Sequence, residues 1–209
     1  MRLRGLAAAG LLAGTLGACV APGSQDDAAL RPSLDQVVGR LPVEAAGFTR
    51  GMAADMEASQ PGQGRAVDYA TAARDGVAAR AAIASVMVYD HGVPPLPSDT
   101  PDAVVLAKLG EGVAEALSPA PGRSMTERER HALPVAGGGP LQCAVLGGSY
   151  GRTAMWQQVC VGVAGGRFLK VFVAVPERQR SLLNLDADGF ARGIALATRG
   201  VPAAGDAAR

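Results

Sequence analysis

Residues 141–175 have the sequence LQCAVLGGSYGRTAMWQQVCVGVAGGRFLKVFVAV, a run rich in β-branched and aromatic residues that glycines interrupt twice. Such runs are typical of β-strands. Gly151-Arg152 fits a two-residue hairpin turn of type II′, which has glycine first, and Gly165-Gly166 fits a turn of type I′. The segment therefore predicts three antiparallel strands joined by two tight hairpins.

The first of these hairpins also predicts a disulfide. A two-residue turn at Gly151-Arg152 places Cys143 directly opposite Cys160. The Cα atoms of opposed residues lie about 4.5–5.5 Å apart, which is within the range of a disulfide. An oxidising compartment outside the cytoplasm would favour the bond. The alternatives are two buried thiols, or a turn centred on Ser149 that would pair Cys143 with Met155 and leave no bond.

The two hairpins distribute their side chains over two faces of the predicted sheet, because side chains alternate along a strand. The face expected to form the core carries Cys143, Trp156, Cys160, Leu169, Val171 and Val173. The opposite face carries Val159, Val161, Val163, Phe168 and Phe172, interrupted by Gln142, Gln157 and Lys170. This second face either packs under loops and a second helix or forms a partner surface. The partner surface would consist of Val159, Val161, Phe168 and Phe172.

Three more strands and a helix are predicted before this segment. The predicted strands are residues 48–52, Arg65–Thr71 and 82–89, with a turn at residues 60–64. The helix is expected to begin with Thr100 as its cap and Pro101 at its first position. It should end at Ser118-Pro119.

A loop-rich region and a closing helix complete the predicted domain. Residues 119–140 are expected to be mostly loop, with the charges of residues 126–130 forming a solvated face. Asp186 or Asp188 can cap a last helix that ends near Gly200. The order β-β-β-α-β-β-β-α indicates an α+β fold, in which an antiparallel sheet of about six strands packs with two main helices.

This element order is similar to that of the PsbP-like fold and of small bacterial lipoproteins of that kind. The residues that carry the resemblance are Gly47-Phe48 near the start of the domain and Val88-Tyr89-Asp90 at the end of the third strand. The resemblance implies a non-catalytic accessory or assembly role. It identifies no site residues.

The N-terminus resembles the signal of a bacterial lipoprotein. Arg2 and Arg4 precede a short apolar run that ends in Leu16-Gly17-Ala18-Cys19, which is similar to a lipobox. The resemblance implies that Cys19 is lipidated and that residues 1–18 are removed, so the chain would be anchored to a membrane through its lipid. Val20 favours the outer membrane, facing the periplasm. The alternative is an ordinary cleaved secretory signal.

The predicted organisation has four parts. These are a lipoprotein signal peptide at residues 1–18, a lipidated tether at 19–33, a single α+β domain at 34–200 and a disordered tail at 201–209. Removal of residues 1–18 takes away Arg2 and Arg4, so the formal net charge changes from +1 to −1. Because no cluster of basic residues remains, we exclude nucleic acid as a partner.

Catalytic and cofactor motifs are weak in this chain. Residues 147–151 match the G-x-S-x-G pattern around Ser149, but both histidines, His91 and His131, precede this serine, whereas the hydrolase order needs a histidine after it. A turn explains these glycines better. Asp90-His91 is either an acid/base or metal pair or an ordinary polar strand end. The histidines lack partners at zinc-ligand spacing, and no phosphate-binding glycine motif occurs, so we expect no metal and no cofactor.

These features favour a non-catalytic, membrane-anchored envelope lipoprotein with an accessory, assembly or partner-binding role, and with a protein partner in the envelope. One alternative is a carrier of a small apolar ligand held between the sheet and the helix of residues 100–117. Another is a hydrolase that uses Ser149 or the Asp90-His91 pair.

Overall fold

The structure is a computed structural model that describes residues 31–74 and 76–202. Cys19, the predicted signal, most of the predicted tether and residues 203–209 lie outside these ranges. Within the described ranges, no helix has the length and apolar composition needed to cross a bilayer.

The described residues form four helices and eight strands, more than the two main helices and about six strands expected. The helices are α1 (Leu34–Gly39), α2 (Asp102–Ala116), α3 (Glu177–Leu183) and α4 (Ala187–Arg199). The strands are β1 (Glu44–Ala45), β2 (Phe48–Asp55), β3 (Arg65–Thr71), β4 (Ile83–Tyr89), β5 (Arg123–Leu133), β6 (Leu141–Tyr150), β7 (Thr153–Ala164) and β8 (Arg167–Pro176). The α+β class is confirmed, but α1, β1, β5 and α3 were not predicted.

All eight strands belong to one antiparallel sheet in the order β1-β2-β3-β4-β8-β7-β6-β5. The sheet consists of two meanders that meet where β4 pairs with β8. The predicted hairpin registers are confirmed, since Cys143 lies opposite Cys160 and Val161 lies opposite Lys170. Gly151 alone has a positive φ in the first turn, and Gly165 and Gly166 both have one in the second, as turns of types II′ and I′ require.

The prediction of a loop over residues 119–140 is wrong for β5, which pairs along the whole of β6. β5 lies at the edge of the sheet, and most of its side chains are exposed. Glu127 and Arg130 form an ion pair there. Edge strands often carry charged side chains, because these hinder pairing with another chain. A segment with solvated charges can therefore also be a β-strand at this position.

One face of the sheet, called here the disulfide face, carries the Cys143–Cys160 bond and packs against α1, α3 and α4. Its centre is Phe190 of α4, whose ring lies 4.6 Å from that of Phe48 and 5.2 Å from that of Tyr69. Burial raises the pKa of Tyr69 to about 12. Its neutral hydroxyl donates a hydrogen bond of 2.8 Å to the carbonyl of Pro42, so even this polar group serves the core.

The other face, called here the α2 face, packs against α2. Buried residues of the helix, with Leu109 at their centre, pack on Val159, Val161 and Phe168 of the sheet, and Phe172 lies partly buried beside them. Three of the four residues of the expected partner surface, Val159, Val161 and Phe168, are therefore covered by a helix, which is the other of the two expected arrangements, and Phe172 stays partly exposed. The reason is that α2 connects the two meanders and has its own apolar stripe to bury.

The start of α2 differs from its prediction. The helix begins at Asp102 with Pro101 as its N-cap residue, and no side chain caps it. The hydroxyl of Thr100 instead donates to the carbonyl of Pro97, at 2.5 Å. Thr100 therefore stabilises the preceding loop and not the helix. At α4 the predicted cap is confirmed, since Asp186 accepts a hydrogen bond from the amide of Gly189 and Gly200 ends the helix with a positive φ.

Candidate ligand-binding groove

Two adjoining cavities lie between α2 and the sheet. Their volumes are about 300 and about 340 Å³. Both are lined by Met87, Gly112, Glu115 and Lys170. We call the two cavities together the α2 groove. It lies between the sheet and residues 100–117, where the alternative hypothesis of a ligand carrier placed its ligand.

The groove exists because α2 packs mainly over β6 and β7 and leaves space beside it, over β4 and β8. One point of close contact is Gly112, where an added Cβ would lie 3.2 Å from Cγ1 of Val159 and 3.5 Å from Cδ of Lys170. Glycine thus allows the helix backbone to approach β7 and β8. On the floor of the groove, Ser85 of β4 lies opposite Phe172 of β8.

Lys170 places a cation in the middle of this largely apolar floor. Its side chain is 13% exposed, and its Nζ donates a hydrogen bond of 2.7 Å to Oε2 of Glu115. Glu115 is 71% exposed. Ion pairs that water reaches contribute roughly 0–1 kcal/mol. A ligand with its own negative group can therefore displace Glu115 at little cost and pair with Lys170.

The two ends of the groove carry further polar groups. At one end, burial first, and then the negative charges of Glu111 and Glu115, raise the pKa of Tyr89 to about 12. Its hydroxyl is therefore neutral at physiological pH and can donate a hydrogen bond. At the other end lies Arg123, whose guanidinium stacks 5.2 Å from the ring of Tyr150. The groove combines an apolar floor with a central cation and a neutral donor.

The sequence contained a signal for this site. Residues 168, 170 and 172 share one face of β8, so Lys170 lies between two phenylalanines on an apolar face. A lysine at such a position needs a partner or access to water. The sequence did not identify Glu115 as that partner, because the pair depends on how α2 crosses the sheet.

The structure separates Asp90 and His91, for which the sequence left open an acid/base or metal pair or an ordinary polar strand end. Asp90 accepts hydrogen bonds from the Arg31 guanidinium and from the amide of Gly92, and Arg167 lies 3.6 Å away. Burial alone would raise the pKa of Asp90, but these hydrogen bonds and positive charges outweigh it and hold the pKa below its usual value. The ring of His91 packs 4.8 Å from that of Tyr89 instead. Asp90 therefore stabilises the fold as an anion.

Ser149 also lacks a histidine in the structure. Ser149 is on β6, opposite Ala154 of β7. It lies six residues along β6 from Cys143, which is the residue opposite His131. Six residues of a β-strand span about 20 Å. His91 lies two residues after Tyr89, which pairs with Phe168 beside the turn at Gly165-Gly166. This turn is at the opposite end of the sheet from Ser149. The groups required for the hydrolase hypothesis are therefore not brought together.

Sequence reasoning missed a polar cluster on the disulfide face, beside the predicted and now observed Cys143–Cys160 bond. Nε2 of His131 lies 3.2 Å from Oδ1 of Asp188. Nε2 of Gln158 donates to the same carboxylate oxygen, at 2.7 Å, and lies 3.1 Å from Sγ of Cys160. From the sequence, His131 was a loop residue and Asp188 a helix-start acid, and only the unpredicted strand β5 brings them together.

A larger cavity, of about 750 Å³, lies at the beginning of the described chain, beside Arg31 and the proline-rich residues 94–97. Its two arginines are engaged within the protein. Arg31 binds Asp90. Arg199 donates hydrogen bonds to the carbonyls of Val163, Val135, Ala136 and Gly139. Because its two charged side chains already bind groups of the protein, we take the α2 groove as the candidate site.

No protein-family model matches the chain, and no curated protein matches it. Among solved structures, the chain is similar to the solution structure of cyanobacterial PsbP (CyanoP) from Synechocystis sp. PCC 6803, with 15% sequence identity. The similarity covers 70% of this chain and 93% of that chain, with a TM-score of 0.36. A similarity of this size gives no basis for transferring a function.

Proposed function

We propose that this chain is a lipid-anchored protein of the bacterial envelope with a non-catalytic accessory or assembly role, in which it binds a protein partner. The lipobox-like sequence ending in Cys19 supports the anchor. Neither group considered for catalysis is arranged for it. Asp90 forms an ion pair with Arg31, and Ser149 is distant from both histidines. The main support for a binding role is the α2 groove, which combines an apolar floor with the cation of Lys170.

The partner is tested by photo-crosslinking in the native host. A photoreactive residue at Glu111, on the rim of the groove, should capture one protein in stoichiometric amount. The same residue at Arg178, an exposed position of α3, is the matched control and should not capture it. Equal capture at both positions, or capture of no protein at Glu111 under several growth conditions, would count against the partner-binding role.

The anchor is tested separately by metabolic labelling with palmitate. The wild-type chain should take up the label, and a Cys19→Ser variant should not. If neither protein is labelled, the lipoprotein proposal fails while the binding proposal still stands.

A second candidate function is that of a carrier for a small ligand, and the α2 groove favours it directly. The ligand would have an apolar body for the floor at Phe172 and Met87 and an anionic group for Lys170. Native mass spectrometry of protein from its own host should detect a bound mass. A Ser85→Leu variant, which fills the floor, should lose this mass, and Ala107→Leu on the exposed side of α2 should keep it. A clean apo mass for the wild-type protein would remove this candidate.

A further inference from the structure

Three side chains form a row across neighbouring strands on the disulfide face. His131 of β5 lies opposite Cys143 of β6, and Cys143 lies opposite Cys160 of β7. Directly opposed residues of antiparallel strands point to the same side and lie about 5 Å apart. The row therefore places an imidazole and two sulfur atoms next to one another.

Helix α4 adds a carboxylate to this row. Asp188 lies in the first turn of α4, and one ligand atom from each of His131, Cys143 and Asp188 can be chosen so that all three lie within 4.8 Å of one another. The 3.2 Å between Nε2 of His131 and Oδ1 of Asp188 is close to the spacing of two ligands on a tetrahedral zinc ion, which is about 3.3 Å for bonds of about 2.0 Å. Cys160 does not belong to this group of three, but its sulfur is bonded to that of Cys143 and becomes the fourth donor of the proposed site when the bond opens.

The fold does not use all the polar atoms of this cluster. Nδ1 of His131 is buried and has no hydrogen-bond partner among the described residues. A buried polar atom without a partner costs free energy and is uncommon. His131 also contributes little to the apolar core. An ion bound at Nδ1 would supply its missing partner, whereas an ion bound at Nε2 would have the spacing to Asp188 given above and would leave Nδ1 unpaired.

We infer that His131, Cys143, Cys160 and Asp188 form a zinc site that becomes available when the Cys143–Cys160 bond is reduced. While the two sulfurs are bonded to each other, neither is a thiolate, so the oxidised protein lacks two of the four ligands. A dithiol reductant supplies two electrons and two protons, and it becomes a disulfide itself as the two cysteines become thiols. Binding of Zn²⁺ then releases both thiol protons.

The surroundings provide a route for the ion and support for its ligands. A cavity of about 250 Å³, lined by His131, Gln158 and Asp188, lies directly beside the row. Gln158 already donates to Asp188 and lies within hydrogen-bond distance of Cys160, so it can orient both ligands, as groups next to a metal site commonly do. Arg180 also lines the cavity, 4.3 Å from the ring of Trp156. Its positive charge balances a site of two thiolates, one carboxylate and one Zn²⁺.

The chemistry of the four donors selects the metal. Two thiolates, an imidazole and a carboxylate are typical zinc ligands, whereas Mg²⁺ and Ca²⁺ require sets of oxygen donors. The proposed site therefore favours Zn²⁺, which binds sulfur and nitrogen ligands and is usually tetrahedral in proteins.

The test uses the full chain with Cys19→Ser, so that of the three cysteines only Cys143 and Cys160 contribute thiols. The protein is prepared oxidised, or reduced with a phosphine that does not itself offer a thiol to the metal. Zn²⁺ binding is measured by competition with a chromophoric chelator. Co²⁺ serves as a second probe, because tetrahedral thiolate coordination gives intense visible and near-ultraviolet absorption. The reduced protein should bind one equivalent with these spectra, and the oxidised protein should bind none.

Single substitutions then identify the ligands. His131→Ala and Asp188→Asn should each weaken Zn²⁺ binding to the reduced protein by at least about tenfold, the lower bound for loss of a supporting group at a zinc site. His91→Ala is the matched control, because His91 packs on Tyr89 outside the row, and it should bind Zn²⁺ as the parent does.

Folding is followed through the fluorescence of Trp156 throughout. If reduction unfolds the chain, Zn²⁺ should restore the folded signal, because an ion that binds only the folded state stabilises it. Equal binding by oxidised and reduced protein, no effect of His131→Ala, or a reduced chain that neither binds nor refolds with Zn²⁺ would each overturn the inference.

Discussion

The two faces of the sheet are packed in different ways. On the disulfide face, α1, α3 and α4 cover a continuous core, and Phe190 is fully buried at its centre. On the α2 face a single helix covers a smaller cluster, and Leu109 holds the corresponding central position. The α2 groove and the mostly buried Lys170 lie beside that helix. The disulfide face therefore has the larger buried cluster, and the α2 face carries the candidate groove.

The difference has a simple geometric origin. A helix buries one stripe of side chains, and the stripe of α2 is too narrow to cover the whole face of the sheet beneath it. Because α2 packs mainly over β6 and β7, space remains beside it over β4 and β8. Helix α4 shares its face with α1 and α3, and together they cover a larger buried cluster, although a cavity of about 250 Å³ remains beside Asp188.

The largest expected effect is on the disulfide face. Phe190→Ala should lower the free energy of unfolding by about 3–5 kcal/mol, because it opens a cavity between Phe48 and Tyr69 that the surrounding helices prevent from collapsing. Leu109→Ala on the α2 face should cost less, about 2–3 kcal/mol, because the adjacent groove lets the helix adjust. Urea unfolding measures both. A greater loss for Leu109→Ala would contradict the contrast between the faces.

Removal of the disulfide should have the next largest effect. The double variant Cys143→Ala/Cys160→Ala opens a bridge that spans 17 residues. In the chain-entropy model this costs about 3 kcal/mol. For a domain of this size the melting temperature should then fall by about 6–12 °C. A thiol assay on the native protein tests whether Cys143 and Cys160 are bonded. Free thiols at both positions with an unchanged melting temperature would refute the bridge.

A smaller effect, which depends on pH, is expected at Asp90. Its pKa is lower in the folded chain than the unfolded value of about 3.9, so its contribution to stability is present at neutral pH and is lost as pH falls through the folded pKa. Asp90→Asn should cost about 1.5–3 kcal/mol at pH 7, because it leaves Arg31 without its anion. Denaturation at pH 7 and pH 3 should show a smaller difference between variant and wild type at pH 3. An equal difference at both values would rule out the charge as the cause.

The smallest effect on stability is expected in the α2 groove. Ser85→Leu places extra methyl groups into a space that is already open, so the free energy of unfolding should change by less than about 1 kcal/mol. The same thermal melts measure this value. A loss as large as that of Leu109→Ala would mean that the groove is packed in solution, and the contrast between the faces would then disappear.

Much of the fold followed from short-range signals. The turns at Gly151-Arg152 and Gly165-Gly166 determine the register of β6, β7 and β8, and this register places the two cysteines opposite each other. The bounds of β3 and the cap of α4 at Asp186 were also predictable. In each case a few neighbouring residues restrict the backbone strongly enough to define the local structure.

The candidate sites depended on contacts between distant residues. β5 has a charged sequence that is also compatible with a loop, and it is a strand because β6 offers it a partner. The cluster of His131 and Asp188 follows from that pairing, and the pair of Lys170 and Glu115 follows from the path of α2 over the sheet. The sequence determined which side chains share a face, because alternation along a strand is a local property. Only the tertiary structure decided what covers each face, because helix packing depends on residues far apart in the chain.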